Sequence, residues 1–154
     1  MDYSMLLLIL LGSPVIAALL MAVLPSKSTP RVAYEAIHLI SLIGVAVAGL
    51  MLVAMTFVGY DIFALGEWFH LDGLGALFLI LIVIIAPCTG LYSLPYIAHD
   101  IADGKLGPSQ VKQYYVFFSL FVFSMLLAVT SNNIIMMWVS VEATTLSTVF
   151  LVGV

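Results

Sequence analysis

The stretch "NNIIMMWVSVEATTLSTVFLVGV", residues 132–154, holds a single carboxylate, Glu142, in the middle of an apolar run. No other side chain in it exchanges a proton readily near neutral pH. Counted from a helix start near Ile134, eight residues at 1.5 Å each put Glu142 roughly 12 Å along the axis, near the middle of a hydrocarbon core about 30 Å thick. An acidic group at that depth costs roughly 2.5 to 3.5 kcal/mol to insert, so it either faces a polar interior or carries its proton. The chemistry on offer is a proton or ion relay. The plainer alternative is a polar clamp between helices.

On a helix, Trp138 at i−4 and Thr145 at i+3 share the face of Glu142. Ser140, Thr144 and Ser147 or Thr148 form an adjacent hydroxyl stripe, able to bond a carboxylate, hold water, or bond back to their own backbone. No lysine or arginine of the chain reaches this depth, so a basic partner would come from further sequence or from another subunit.

The remaining reactive side chains offer little. His38 and His99 fall near one membrane boundary and His70 near the other, without the recurring spacing that would set two rings across a haem, and they read as surface or interface histidines. Cys88 is the only cysteine and lies in an apolar run, so it reads as a packing residue. There is no H-E-x-x-H pattern and no glycine-rich phosphate loop. No cofactor or metal is expected in this chain and no catalysis from it alone. The absence of a basic patch gives no support to nucleic-acid binding.

The elements that must carry Glu142 follow from composition. Hydrophobic residues make up 64% of the 154 and charged residues 8%, with a mean hydropathy of +1.27. A soluble domain carries about 25% charged residues. The chain therefore reads as an all-α polytopic membrane protein in contact with the lipid bilayer, and five apolar runs place helices at about 5–24, 32–58, 74–96, 114–130 and 134–152. The first run lacks a basic leader and is longer than a signal-peptide core, so it reads as a retained helix. Gly44 and Ala48, four apart in the second run, offer a small-xxx-small contact. "GYDIFALGEWFHLD", residues 59–72, mixes acidic and aromatic residues as an interfacial segment does. Pro87 predicts a structural kink near "APCTG" in the third run. Residues 99–113 read as one long polar loop, and "SNN" at 131–133 as a tight turn joining antiparallel neighbours.

Lys27 and Arg31 follow the first run, and Lys105 and Lys112 follow the third. Alternate loops share a side, so the basic excess puts both in the cytoplasm and the N-terminus outside. The last apolar run meets Val154 without the polar tail that a natural terminus often has, which leaves a truncated chain and a split subunit both open.

"FHLDGLGALFLILI" and "YYVFFSLFVFSMLLAVTSNNIIMMWVSVEATTLSTVFLVG" together resemble the antiporter-like, proton-conducting membrane subunits of respiratory NADH-quinone oxidoreductase and of membrane-bound group 4 hydrogenases. Within that group "EATTLST" is most similar to hydrogenase-4 component F. The resemblance spans nearly the whole chain and corresponds to the opening part of a much longer subunit. It implies that Glu142 matches the family's helix-five glutamate, which pairs with a lysine of a later helix in proton transfer; Trp138, Thr144, Thr145 and Thr148 are the supporting positions that helix spacing around Glu142 supplies. Asp72 and Gly73 match the motif that opens helix three, where a structural role is implied. Val141 stands where many members have tryptophan, and Trp138 lies one turn back. The resemblance further implies an inner (cytoplasmic) membrane location and other membrane subunits as partners. It implies iron–sulfur clusters and other redox centres in those partners, and proton or sodium movement coupled to electron transfer. A structural membrane subunit that anchors a larger assembly, with Glu142 as its interhelical clamp, is the alternative reading.

Overall fold

The computed structural model describes residues 3–24, 31–59, 62–64, 69–71, 73–104, 107–131 and 133–152. Five helices carry nearly all of them: α1 (Tyr3–Val23), α2 (Arg31–Val58), α3 (Gly73–Ala102), α4 (Pro108–Thr130) and α5 (Ile134–Val152). Each is long and apolar enough to cross a bilayer. In hydrocarbon a backbone must satisfy its own polar groups, which is why uninterrupted apolar runs of this length become helices. The all-α membrane architecture expected from composition is the one observed.

Two boundaries differ from the hydropathy reading. α3 continues to Ala102 and α4 begins at Pro108, so most of the expected polar loop is helix. Hydropathy marks where a helix leaves the apolar layer, whereas helix propensity does not depend on that boundary. The true connection is short. Gly104 adopts φ 75°, a left-handed conformation suited to glycine just past a helix end. Gly107 then precedes Pro108, and the Gln110 side chain reaches back to accept the Gly107 N–H at 2.8 Å. His99 and Asp103 pair across the last turn of α3 at 3.1 Å. α3 stays helical through both Pro87 and Pro95.

The interfacial segment contains a hairpin that sequence patterning missed. Strands β1 (Ile62–Ala64) and β2 (Phe69–Leu71) pair antiparallel, with Phe63 opposite His70. Three residues are too few for an alternation to be read with confidence from composition. Phe69 and Leu71 are buried, and Phe69 also bridges to Ser131 at the end of α4. The connections after α2 and after α4 therefore lie at the same end of the bundle, as alternating crossings require. Trp68, Tyr60 and Asp72 lie outside the described residues.

α4 is the central helix, touching α1, α2, α3 and α5, while α1 packs on α2 and α2 on α3. Lipid tails are as apolar as leucine, so helices in a membrane associate through close packing rather than through escape from water. The α2–α3 seam shows how. A Cβ on Gly90 of α3 would strike Leu42 of α2, and a Cβ on Gly49 of α2 would strike Val83 of α3. Each helix thus has a notch and a knob seven residues apart, in antiparallel register. Gly44 meets Ser13 of α1, where an added Cβ would lie 3.1 Å from the hydroxyl oxygen. Ala48, one turn on, is buried. Much of the remaining core is leucine and valine, including Leu7, Leu10, Val45, Leu52, Leu79 and Leu126, and the outward faces of the same helices expose Leu19, Ile40, Ile43 and Leu77.

Candidate functional site

α5 is attached to the bundle chiefly along one face, and that face is set by its small residues. Ser140 and Ser147, seven apart, are buried, with Ala143, Thr144 and Leu151 half-buried between and beyond them. The contact is with α4, and the rings of Phe117 and Phe150 stack alongside it at 5.1 Å. At about 100° per residue Glu142 lies roughly 160° around the helix from both Ser140 and Thr144. It is exposed, on the face turned away from α4.

The neighbours of Glu142 divide accordingly. Trp138 is 64% exposed and shares its face, as do Thr145, Val139, Leu146 and Val149, all exposed. The hydroxyls do not form a cradle for the carboxylate. Ser140 donates to the Met136 carbonyl at 2.7 Å, Thr144 to Ser140 at 2.9 Å, Thr145 to Val141 at 3.2 Å and Thr148 to Thr144 at 2.9 Å. Each satisfies its oxygen on its own helix, the usual resort of serine and threonine in a membrane helix. Ser140 and Thr144, expected beside the carboxylate, belong to the opposite, packed face. Thr148 is exposed on the flank.

A cleft of about 510 Å³ opens beside this face between α3, α4, α5 and β2. Its lining is polar at the hairpin end, with His70, Ser131 and Asn133, and apolar beyond, with Phe78, Met137 and Val141, the residue before Glu142. The other predicted positions lie on α3, away from the carboxylate. Gly73 is exposed at the first position of α3, with open space where a Cβ would stand. Pro87 is half-buried in mid-helix, and Cys88 is exposed.

Sequence reasoning missed a polar cluster where α2, α3 and α4 meet. His38, read as a surface or interface residue, is 1% exposed. Its Nε2 lies 3.4 Å from the Gly90 carbonyl oxygen, the approach that the absent Gly90 side chain permits. Its ring is packed by Tyr115 and edge-on by Phe118, with centroids 4.9 and 5.0 Å away. One turn along α3, Ser93 is hydrogen-bonded to the Tyr114 hydroxyl at 2.7 Å and donates to Thr89 O at 2.9 Å. Helical periodicity could have found the histidine: Tyr34, His38, Ser41, Val45, Ala48 and Leu52 recur at threes and fours, and all are buried. His99 is exposed, so the two histidines expected at one boundary do not face each other. Among the described residues no group of three histidine, cysteine or carboxylate side chains is placed to hold a metal.

No family model matches the chain. It is 44% identical over 89 residues to the hydrogenase-4 component F homolog of Methylacidiphilum infernorum, a match covering 58% of this chain and 19% of that one. It is 31% identical to the NADH-quinone oxidoreductase subunit L of Campylobacter jejuni over 97 residues, covering 58% and 15% of the two chains. The same subunit of Rhodobacter capsulatus is 31% identical over 84 residues, covering 54% and 12%. The chain thus matches less than one fifth of the length of these relatives, and what it is similar to is a membrane portion of subunits named for hydrogenase and NADH-quinone oxidoreductase complexes.

Proposed function

We propose that this chain is the opening five-helix portion of an ion-translocating membrane subunit in a hydrogenase-type or NADH-quinone oxidoreductase-type complex, with Glu142 as a proton-relay station. The observation that carries the reading is the exposure of Glu142, eight residues into α5, on the face turned away from α4, which no described helix covers; helix geometry sets that position near the middle of a bilayer. A carboxylate there is ionised only beside a polar or basic neighbour, and the long unmatched remainder of the relatives is where helices bearing one would lie. A clamp within this chain would need Glu142 on the α4 face, which Ser140, Thr144 and Ser147 occupy instead.

Trp138 and Thr145 border the carboxylate and shape its contact with the incoming helix. The cleft that includes His70, Ser131 and Asn133 reaches as far as Val141, on the flank of α5 next to the face of Glu142. Protons are the transported species, the N-terminus lies outside, and the basic connections after α1 and α3 lie in the cytoplasm, in an inner membrane. Redox centres, iron–sulfur clusters among them, reside in partner subunits. Similarity to hydrogenase-4 component F favours the hydrogenase-type complex. Replacing Glu142 with glutamine in the assembled complex, and comparing proton uptake by sealed vesicles at equal assembly, tests the proposal.

A further inference from the structure

The cluster of His38, Ser93 and Tyr114 lies inside the bundle, apart from Glu142, and the relay reading does not use it. His38 is seven residues into α2, Tyr114 six into α4 and Ser93 nine before the end of α3, so all three sit roughly 9 to 14 Å below the same end of the bundle. That end carries the short α3–α4 connection.

Several observations point to proton exchange rather than mere packing. With Nε2–H donated to Gly90 O, the neutral ring has its lone pair on Nδ1. The 3.4 Å separation is at the long limit of hydrogen bonding and contributes little to holding α2 on α3. A leucine would pack between Tyr115 and Phe118 without bringing a polar group into an apolar site. Beside it, Ser93 has one hydroxyl proton and two oxygen neighbours, Thr89 O and Tyr114 Oη. The pair therefore has two arrangements that differ in the direction its hydroxyls point, which is what passing a proton along them requires.

We infer that His38, with the Ser93–Tyr114 hydroxyl pair, forms a second, buried proton-exchanging site at the α2–α3–α4 junction. The inference rests on the ion-translocating reading above. The step moves no electrons: one proton is added at Nδ1 to give an imidazolium with two N–H donors, and one proton is released to restore the neutral ring. His38 is met by the Gly90 carbonyl from α3 and by the rings of Tyr115 and Phe118 from α4; Tyr114 packs against both of those rings and carries the bond to Ser93, and Tyr34 and Glu35 lie one helical turn back on α2. α1 contributes the apolar Ala17 and Met21 to the same packed cluster.

The test compares H38Q, H38L and E142Q in the assembled complex, in sealed vesicles and at equal assembly. Glutamine keeps an amide donor toward Gly90 O but takes up no proton. The expected result is a loss of proton movement of roughly a hundredfold in H38Q, the lower end of the scale of a lost acid–base group. Normal proton movement in H38Q or H38L overturns the inference, while a loss in E142Q alone leaves the Glu142 reading standing. Normal movement in E142Q with a loss in H38Q removes Glu142 and keeps His38. Nitrogen-15 NMR of histidine-labelled wild-type complex decides the matter if the variants do not assemble. A His38 signal converting between neutral and imidazolium forms within about pH 5 to 8 supports the site. A signal that stays neutral throughout overturns it.

Discussion

Ser140 and Glu142 are two residues apart on α5 and face opposite ways, the serine fully buried against α4 and the glutamate exposed on the far side. This opposition gives α5 two distinct interfaces: a small-residue face that fixes it to the bundle, and an apolar face with a carboxylate at its centre. Cross-linking separates the two. With Cys88 replaced by alanine, cysteine at Val149 should bridge to an engineered cysteine on a later helix or a partner subunit, and cysteine at Ser147 to one on α4. Bridging of position 149 to α4 would contradict the orientation.

The glycine notches of the α2–α3 seam predict an asymmetric response to added methyl groups. G90A and G49A force their knobs, Leu42 and Val83, to move and should each destabilise the purified protein by about 1 to 3 kcal/mol, the scale of overpacking. G12A, where nothing stands within 4 Å of the new carbon, should be neutral or gain up to about 1 kcal/mol of helix propensity. Thermal unfolding in detergent measures all three, and equal effects would show that the notches are not what sets the spacing.

The Ser93–Tyr114 bond ties α3 to α4 across the bundle at 2.7 Å. Interhelical hydrogen bonds in membranes are worth about 0.6 to 2 kcal/mol. A double-mutant cycle of S93A and Y114F should give a coupling in that range, and additive single effects would mean that the two hydroxyls do not interact.

Orientation can be checked with the native cysteine removed. Asp103 and Asn133 are both exposed, at opposite ends of the bundle. Cysteine at 103 should react with an impermeant reagent only from the cytoplasmic side and cysteine at 133 only from outside. The reverse pattern would invert the assignment drawn from Lys27, Arg31, Lys105 and Lys112, and reaction from one side only would break the five-crossing topology.

Five helices were legible because each apolar run is long enough to span a bilayer by itself. The hairpin was not, because three-residue strands carry too little pattern, and the ends of α3 and α4 were not, because polarity and helicity part company at the membrane surface. At Glu142 the sequence carried the residue and its place along α5. The angular offset of Ser140 from Glu142 was also available, but which face meets α4 depends on how α4 packs, and no local signal reports that. His38 shows the reverse case. Its polarity argued for a surface, while its place in the stripe from Tyr34 to Leu52 had already put it inside.

Proton transfer by Glu142 is decided by proton uptake in sealed vesicles containing the assembled complex with E142Q. At wild-type assembly, uptake should fall roughly a hundredfold, within the range for loss of an acid–base group. Proton uptake at the wild-type rate would contradict it.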